Sequence, residues 1–280
     1  MLYNETIDVL KRHNIRLKKD LSQNFLIDRD IKDKIIEELG LKESDTVFEI
    51  GGGIGIISKE IAPKVDKLIS CEIDPNLIPI LKKNLESFKN AEIIEKDILK
   101  IDLSLILKDK AKVFGSLPYH ITTPIILHLL KFKSYITSCF LIVQYDVAKR
   151  IISCSGRDYG MLSILLQIYT KPEIVIKISP ESFIPRPKPS SALIKLNFLE
   201  KPQIVPSPNF GKIVETLFSQ RRKKIINSLL KLKIPKETLL SLLKEKGISP
   251  DARPLELSIF DISKIASQLQ FFLAKPPSFL

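Results

Sequence analysis

Ten consecutive residues, Thr46 to Gly55 (T-V-F-E-I-G-G-G-I-G), carry the clearest chemical signal in the chain. A β-prone run (Val47, Phe48, Ile50) leads into glycines, and an apolar-periodic, helix-like segment (Ile56, Ile57, Ile61) follows. Such a turn can cradle an anion or a nucleotide, because glycine reaches positive φ and, lacking Cβ, lets a ligand approach the backbone. Glu72 closes a second apolar run (Leu68, Ile69), at the distance where the next strand presents an acid to a ribose diol. A dinucleotide fingerprint needs glycines at 51, 53 and 56, but position 56 is Ile. Glycines at 51, 53 and 55 suit instead a cofactor without a pyrophosphate, such as S-adenosylmethionine; a plain structural turn is the alternative.

The second stretch is Gly115-Ser116-Leu117-Pro118-Tyr119-His120, directly after another strand candidate. Open parallel sheets bind ligands beyond the carboxyl ends of their strands, so this loop should face the same crevice as Gly51–Gly55. Its polar residue, proline-stiffened turn and aromatic ring suit a planar amine. The Ser116 side chain and a fixed carbonyl would accept the two N–H hydrogens, and Tyr119 would stack on the base. Standing alone, the stretch reads as a proline turn with a half-buried tyrosine. His13, His120 and His128 have no metal spacing, and no metal is expected. His120 borders the site and is assigned packing or hydrogen bonding rather than a role as base.

These stretches need a scaffold of alternating elements. Strand patterns fall at 46–50, 67–73, 91–95, 112–115 and 138–144, with helical patterns at 30–39, 55–62, 76–88 and 122–132. That alternation predicts an α/β fold with a parallel sheet and crossover helices. Helices at 145–153 and 159–169 precede two more strands, 173–178 and 192–198. The connection Ser179–Ser190 is too rich in proline to be helical and reads as a stiff functional loop. After a proline-marked linker (201–208) the pattern is all-helical: 209–219, 222–232, 236–246 and 258–272. The expected domains are 1–200 and 201–280.

The 280 residues, 44% hydrophobic, suffice for a buried core. No apolar run reaches the ~20 residues of a membrane span, and the polar start (Met1-Leu2-Tyr3-Asn4-Glu5) is not a secretory signal. Cys71, Cys139 and Cys154 offer neither a disulfide framework nor zinc spacing, which fits a cytoplasmic protein. Of the net charge of +12, +8 lies in the last 80 residues. That clustering points to a polyanionic partner rather than a merely solubilising composition. Lys11, Arg12, His13, Arg16, Lys18 and Lys19 read either as a phosphate-touching arm or as a solvated terminus.

Taken in order, Gln23-Asn24-Phe25-Leu26, E-I-G-G-G-I-G (49–55), Glu72, Lys96-Asp97, S-L-P-Y (116–119), F-I-P-R-P-K-P-S-S-A (183–192) and Q-R-R-K-K-I-I-N-S-L (220–229) form a set. The set resembles the ribosomal RNA adenine N6-dimethyltransferases of the KsgA/RsmA type, from about residue 17 to 262. The resemblance implies a Rossmann-like class I methyltransferase sheet, mostly parallel with its last strand antiparallel, and a small all-helical C-terminal domain that binds RNA. It implies S-adenosylmethionine as cofactor, held by Asn24, Leu26, Gly51, Gly53, Glu72, Ile73, Asp97, Ile98 and Ser116. Ser116, Leu117, Pro118 and Tyr119 would grip the target base, and Phe183 would cover its other face. Arg221, Arg222, Lys223 and Lys224, on a C-terminal helix, would contact phosphates.

The implied reaction is dimethylation of two adjacent adenines near the 3′ end of small-subunit (16S) ribosomal RNA in pre-30S particles, by a monomer with no membrane role. A large-subunit rRNA adenine methyltransferase shares the catalytic motifs, but the run at 220–229 and the helical tail favour the small-subunit enzyme. The sequence departs from the family in having Gly52 where proline is usual and Ser116 where asparagine is usual. The second departure leaves a small-subunit assembly factor with weak or no catalysis as an alternative. A nicotinamide oxidoreductase is disfavoured by Ile56 and by the lack of a catalytic acid–base pair.

Overall fold

The computed structural model describes residues 2–15 and 23–273; Arg16, Lys18 and Lys19 of the basic arm lie outside the described residues. Two compact units emerge, Met1–Ala148 with Lys171–Phe198, and Lys149–Thr170 with Leu199–Leu280. Residues 149–170, which precede the expected boundary at 200, therefore belong to the second unit.

The strands are β1 (Phe25–Leu26), β2 (Thr46–Ile50), β3 (Lys67–Cys71), β4 (Ala91–Ile94), β5 (Ala111–Ser116), β6 (Ile136–Gln144), β7 (Thr170–Ile178), β8 (Phe183–Ile184) and β9 (Ser191–Phe198). Seven of them form one sheet in the order β4-β3-β2-β5-β6-β9-β7. From β4 to β6 every neighbouring pair is parallel, and β9 runs antiparallel to β6. The chain moves outward from β2 through β3 to β4, then returns to lay β5 on the other side of β2. That reversal opens a crevice beyond the carboxyl ends of β2 and β5, where Gly51 and Ser116 stand. Val47, Phe48, Leu68 and Val113 are fully buried, as continuous apolar runs covered on both faces should be. Each such side chain contributes roughly 1.5–3 kcal/mol.

Among the described residues, five α-helices precede β6: α1 (Leu2–Arg12), α2 (Arg29–Leu39), α3 (Ser58–Ile61), α4 (Ile78–Leu85) and α5 (Thr122–Lys131). In α2 the Asp28 side chain caps the N-terminus by accepting from the Ile31 amide, and Gly40 closes the C-terminus at φ 50°. Lys112 of β5 donates to the carbonyls of Leu39 (3.1 Å) and Gly40 (2.5 Å), fixing the end of α2 to the sheet. The helix expected at 55–62 is shorter: Gly55 holds φ 81°, and Pro63 lies in the 3-10 turn Ala62–Lys64 that follows Ile61. Of the basic residues read as an arm, Lys11 and Arg12 end α1 and His13 lies in the turn after it, while Leu10 of the same helix packs beside Phe25, Ile54, Leu77 and Ile80.

Helices α6 (Tyr145–Ile152) and α7 (Met161–Tyr169) separate β6 from β7, and α8 (Phe210–Phe218), α9 (Ile225–Leu229), α10 (Lys236–Glu245) and α11 (Ile259–Leu269) follow β9. The second unit has its own core, in which Ile213 and Leu217 of α8, Leu243 of α10 and Ile262 and Ile265 of α11 join Ile164 and Ile168 of α7. A correction concerns the basic run. Residues 221–224 form the turn before α9 rather than part of a helix. The first amides of α9 explain why: Ile225 donates to Ala252 O (2.8 Å) and Ile226 to Pro250 O (3.4 Å), so the helix starts where a neighbouring loop satisfies its leading N–H groups.

Candidate active site

At the end of β2 the chain turns through Gly51 (φ 77°), Gly53 (φ 57°) and Gly55 (φ 81°), conformations that side-chain-bearing residues avoid. The turn is pinned from β3, with Gly51 N–H donating to Cys71 O at 2.8 Å and Gly53 N–H to Glu72 Oε2 at 2.8 Å. Glu72 Oε1 accepts from the amides of Ile73 and Asp74, both at 2.8 Å, so this buried carboxylate is met by three backbone donors. A Cβ on Gly51 would stand 3.8 Å from Ser116 O, narrowing the gap between the ends of β2 and β5.

Beneath the turn lies Glu49, 1% exposed. Its Oε2 accepts from Ser58 Oγ at the start of α3 and from Ser70 Oγ on β3, both at 2.6 Å. Burial raises its pKa above the ordinary carboxylate value, the two serine hydrogen bonds oppose that shift, and the nearby charge of Glu72 adds to it. Neither serine was singled out from sequence, since they lie 9 and 21 residues away; the one available signal is an acid inside an otherwise apolar strand.

A strap closes the opposite wall. Strand β1 pairs antiparallel with β8, Phe25 opposite Ile184 and Leu26 opposite Phe183. Ile27 N–H donates to Ser182 O at 2.8 Å and Ser182 Oγ to Asp28 at 2.9 Å, while Gln23 Nε2 donates to the buried Asp74 at 2.6 Å. The proline-rich loop thus holds residues 25–28 in place, and Asp74, just after β3, holds Gln23. Asp97 accepts from the Leu99 amide at 3.0 Å, and His128 Nε2 lies 3.0 Å from Ile101 O, fixing the loop after β4 to α5.

These walls enclose a cavity of about 340 Å³. All nine residues assigned to the cofactor line it: Asn24, Leu26, Gly51, Gly53, Glu72, Ile73, Asp97, Ile98 and Ser116. Of the base-gripping set, Ser116 and Pro118 line it as well, and so does His120. Leu117, Tyr119 and Phe183 are not among its lining residues. Leu117 and Phe183 are buried, at 3% and 4% exposure. Tyr119 is half-buried with its hydroxyl 2.8 Å from Ser191 Oγ, and burial raises its pKa. In the second unit Arg221 to Lys224 are all exposed. Arg221 donates to the carbonyls of Arg157 (2.7 Å) and Tyr159 (2.5 Å), and Lys224 pairs with Asp251 at 2.8 Å.

The mostly parallel seven-stranded sheet, its glycine turn after β2 and its acid after β3 define a Rossmann-like methyltransferase fold. The family model described as ribosomal RNA adenine dimethylase matches residues 14–270, and the chain belongs to that family. It is 40% identical over 266 residues to a ribosomal RNA small subunit methyltransferase A of Clostridium botulinum (strain ATCC 19397 / Type A), covering 93% of this chain and 97% of that protein. A protein of the same name from Alkaliphilus oremlandii (strain OhILAs) is 36% identical over 275 residues, covering 95% and 96%. Among solved structures, a dimethyladenosine transferase from Plasmodium falciparum superposes with TM-score 0.77 at 25% identity, over 88% of this chain and 98% of the other. The 23S rRNA methyltransferase ErmE superposes with TM-score 0.69 at 26% identity, over 88% and 99%.

Proposed function

We propose that this chain transfers methyl groups from S-adenosylmethionine to N6 of two adjacent adenines near the 3′ end of small-subunit ribosomal RNA, acting as a monomer on pre-30S particles in the cytoplasm. The observation that carries the reading is the meeting of the Gly51–Gly53 turn, Glu72, Asp97 and Ser116, from four strand ends, on one cavity. The similarity to small-subunit methyltransferases along nearly the whole chain supports the choice of RNA.

The residues present fit the cofactor. A bare glycine backbone, a buried carboxylate already oriented by three amides and a second carboxylate next to the apolar Ile98 match an amino acid, a ribose diol and an adenine. Asn24, Leu26 and Gly51 would hold the methionine end, Glu72 with Ile73 the ribose, and Asp97 with Ile98 the adenine. When bound, the cofactor supplies an already activated sulfonium methyl.

The chain's own task is then to position the base and exclude water. The Ser116 hydroxyl and the Leu117 carbonyl would accept the two N6 hydrogens, drawing the lone pair out of ring conjugation toward the methyl. Pro118 stiffens the turn, and Tyr119, tied to Ser191, would stack on the extruded adenine, with Phe183 on its other face. Arg222 and Lys223, with Arg221 and Lys224 beside them, would meet RNA phosphates.

A serine at 116 offers a shorter acceptor than the asparagine usual in the family, which favours one second reading, a small-subunit assembly factor with weak catalysis. Methyl-labelled S-adenosylmethionine offered with undermethylated small and large subunits tests the proposal. Label in small-subunit RNA is expected; label confined to large subunits, or small-subunit binding without label, would reject it.

A further inference from the structure

Gly52 differs from its neighbours. Gly51, Gly53 and Gly55 have positive φ values that favour glycine, but Gly52 is not in the left-handed region, so its own conformation does not explain it. The surrounding space does. A Cβ at position 52 would fall 2.2 Å from Ser70 Oγ and 2.8 Å from Leu81 Cδ2. Leu81 could swing a terminal methyl aside. Ser70 has no such freedom, because its hydroxyl donates to the buried Glu49 carboxylate at 2.6 Å, and Glu49 also receives Ser58 at the start of α3. Displacing Ser70 would leave a buried carboxylate one donor short, directly under the turn.

We propose that Ser70 is a positioning residue of the cofactor turn. Its hydroxyl fills the seat that any side chain at position 52 would need, and from that seat it holds Glu49. Positions 52 and 70 thereby act as a matched pair, and a side chain at 52 is accepted only when the hydroxyl at 70 is removed. The inference rests on the cofactor reading above.

The test is a double-mutant cycle on the full chain with Gly52→Ala, Ser70→Ala and the double variant. It is read by calorimetric titration with S-adenosylhomocysteine, below the unfolding temperature of every folded variant, and by thermal unfolding without ligand. Ser70→Ala alone should weaken binding about threefold and Gly52→Ala by about tenfold or more, while the double variant should return to within about threefold of Ser70→Ala. If Gly52→Ala does not fold, a folded double variant is the same rescue. A double variant as weak as Gly52→Ala, weaker, or unfolded would overturn the pairing. Failure of the wild type to bind S-adenosylhomocysteine would overturn the cofactor reading and the positioning role, while rescue or its absence in the ligand-free unfolding cycle would still decide the pairing.

Discussion

The Glu72 carboxylate, from the end of β3, accepts the Gly53 amide of the turn after β2 at 2.8 Å. Two adjacent strands are thereby joined at the point where a ribose would meet a glycine-lined backbone. Glu72→Gln keeps the shape, but it replaces one oxygen by an amide nitrogen that cannot accept from Gly53 or from Ile73 and Asp74. Calorimetry should show S-adenosylhomocysteine bound at least tenfold more weakly, about 1.4 kcal/mol. Unchanged affinity would remove Glu72 from the site.

On the proposed reading, the basic turn before α9 would divide into two roles. Arg221 spends its guanidinium on the Arg157 and Tyr159 carbonyls, so Arg221→Ala should destabilise the helical unit by roughly 1.5–3 kcal/mol, seen as a lower unfolding temperature. Arg222→Ala/Lys223→Ala should instead leave unfolding unchanged and reduce the salt slope of RNA binding by about two. Equal effects of both variants on stability would contradict this division.

His128 gives the fold an acid-sensitive joint. Burial lowers its pKa below 6.5, outweighing the hydrogen bond to Ile101 O that acts in the other direction. The unfolded chain therefore binds a proton more readily than the folded one in the window just below 6.5. Stability from this group is present above that value and declines as pH falls toward the lowered folded pKa. Melting temperatures between about pH 7 and 5 should show this acid limb, and His128→Asn should flatten it.

On the proposed reading, the side chain at position 116 would set the reach of the acceptor at the target amine. Ser116→Asn is expected to raise the proportion of dimethyl over monomethyl product, read by nucleoside mass spectrometry. Ser116→Ala should slow transfer by about a hundredfold, the scale of losing one well-placed polar contact in a reacting site. An alanine variant with wild-type rate would exclude Ser116 from the base-gripping loop.

Periodicity and spacing made the central sheet legible. Strand β2 coincides with 46–50 because an apolar run ends abruptly at glycines, and Glu72 lies beside Gly53 as the βαβ spacing implies. Strands β1 and β8 were not legible, since two-residue strands have no period and pair across more than 150 residues of sequence. The turn at 221–224 has a helix-like sequence pattern, and the carbonyls of Pro250 and Ala252 that start α9 only at Ile225 come from a loop distant in sequence. The burial of Glu49 under two serines is likewise a tertiary fact, visible in sequence only as an acid among apolar neighbours.

The central claim is tested most directly by incubating the protein with S-adenosylmethionine and unmethylated small ribosomal subunits, then measuring the 3′-terminal RNA fragment by mass spectrometry. Dimethyladenosine at two adjacent positions is the predicted result. Unmodified adenines, from protein that binds both the cofactor and the particle, would contradict it.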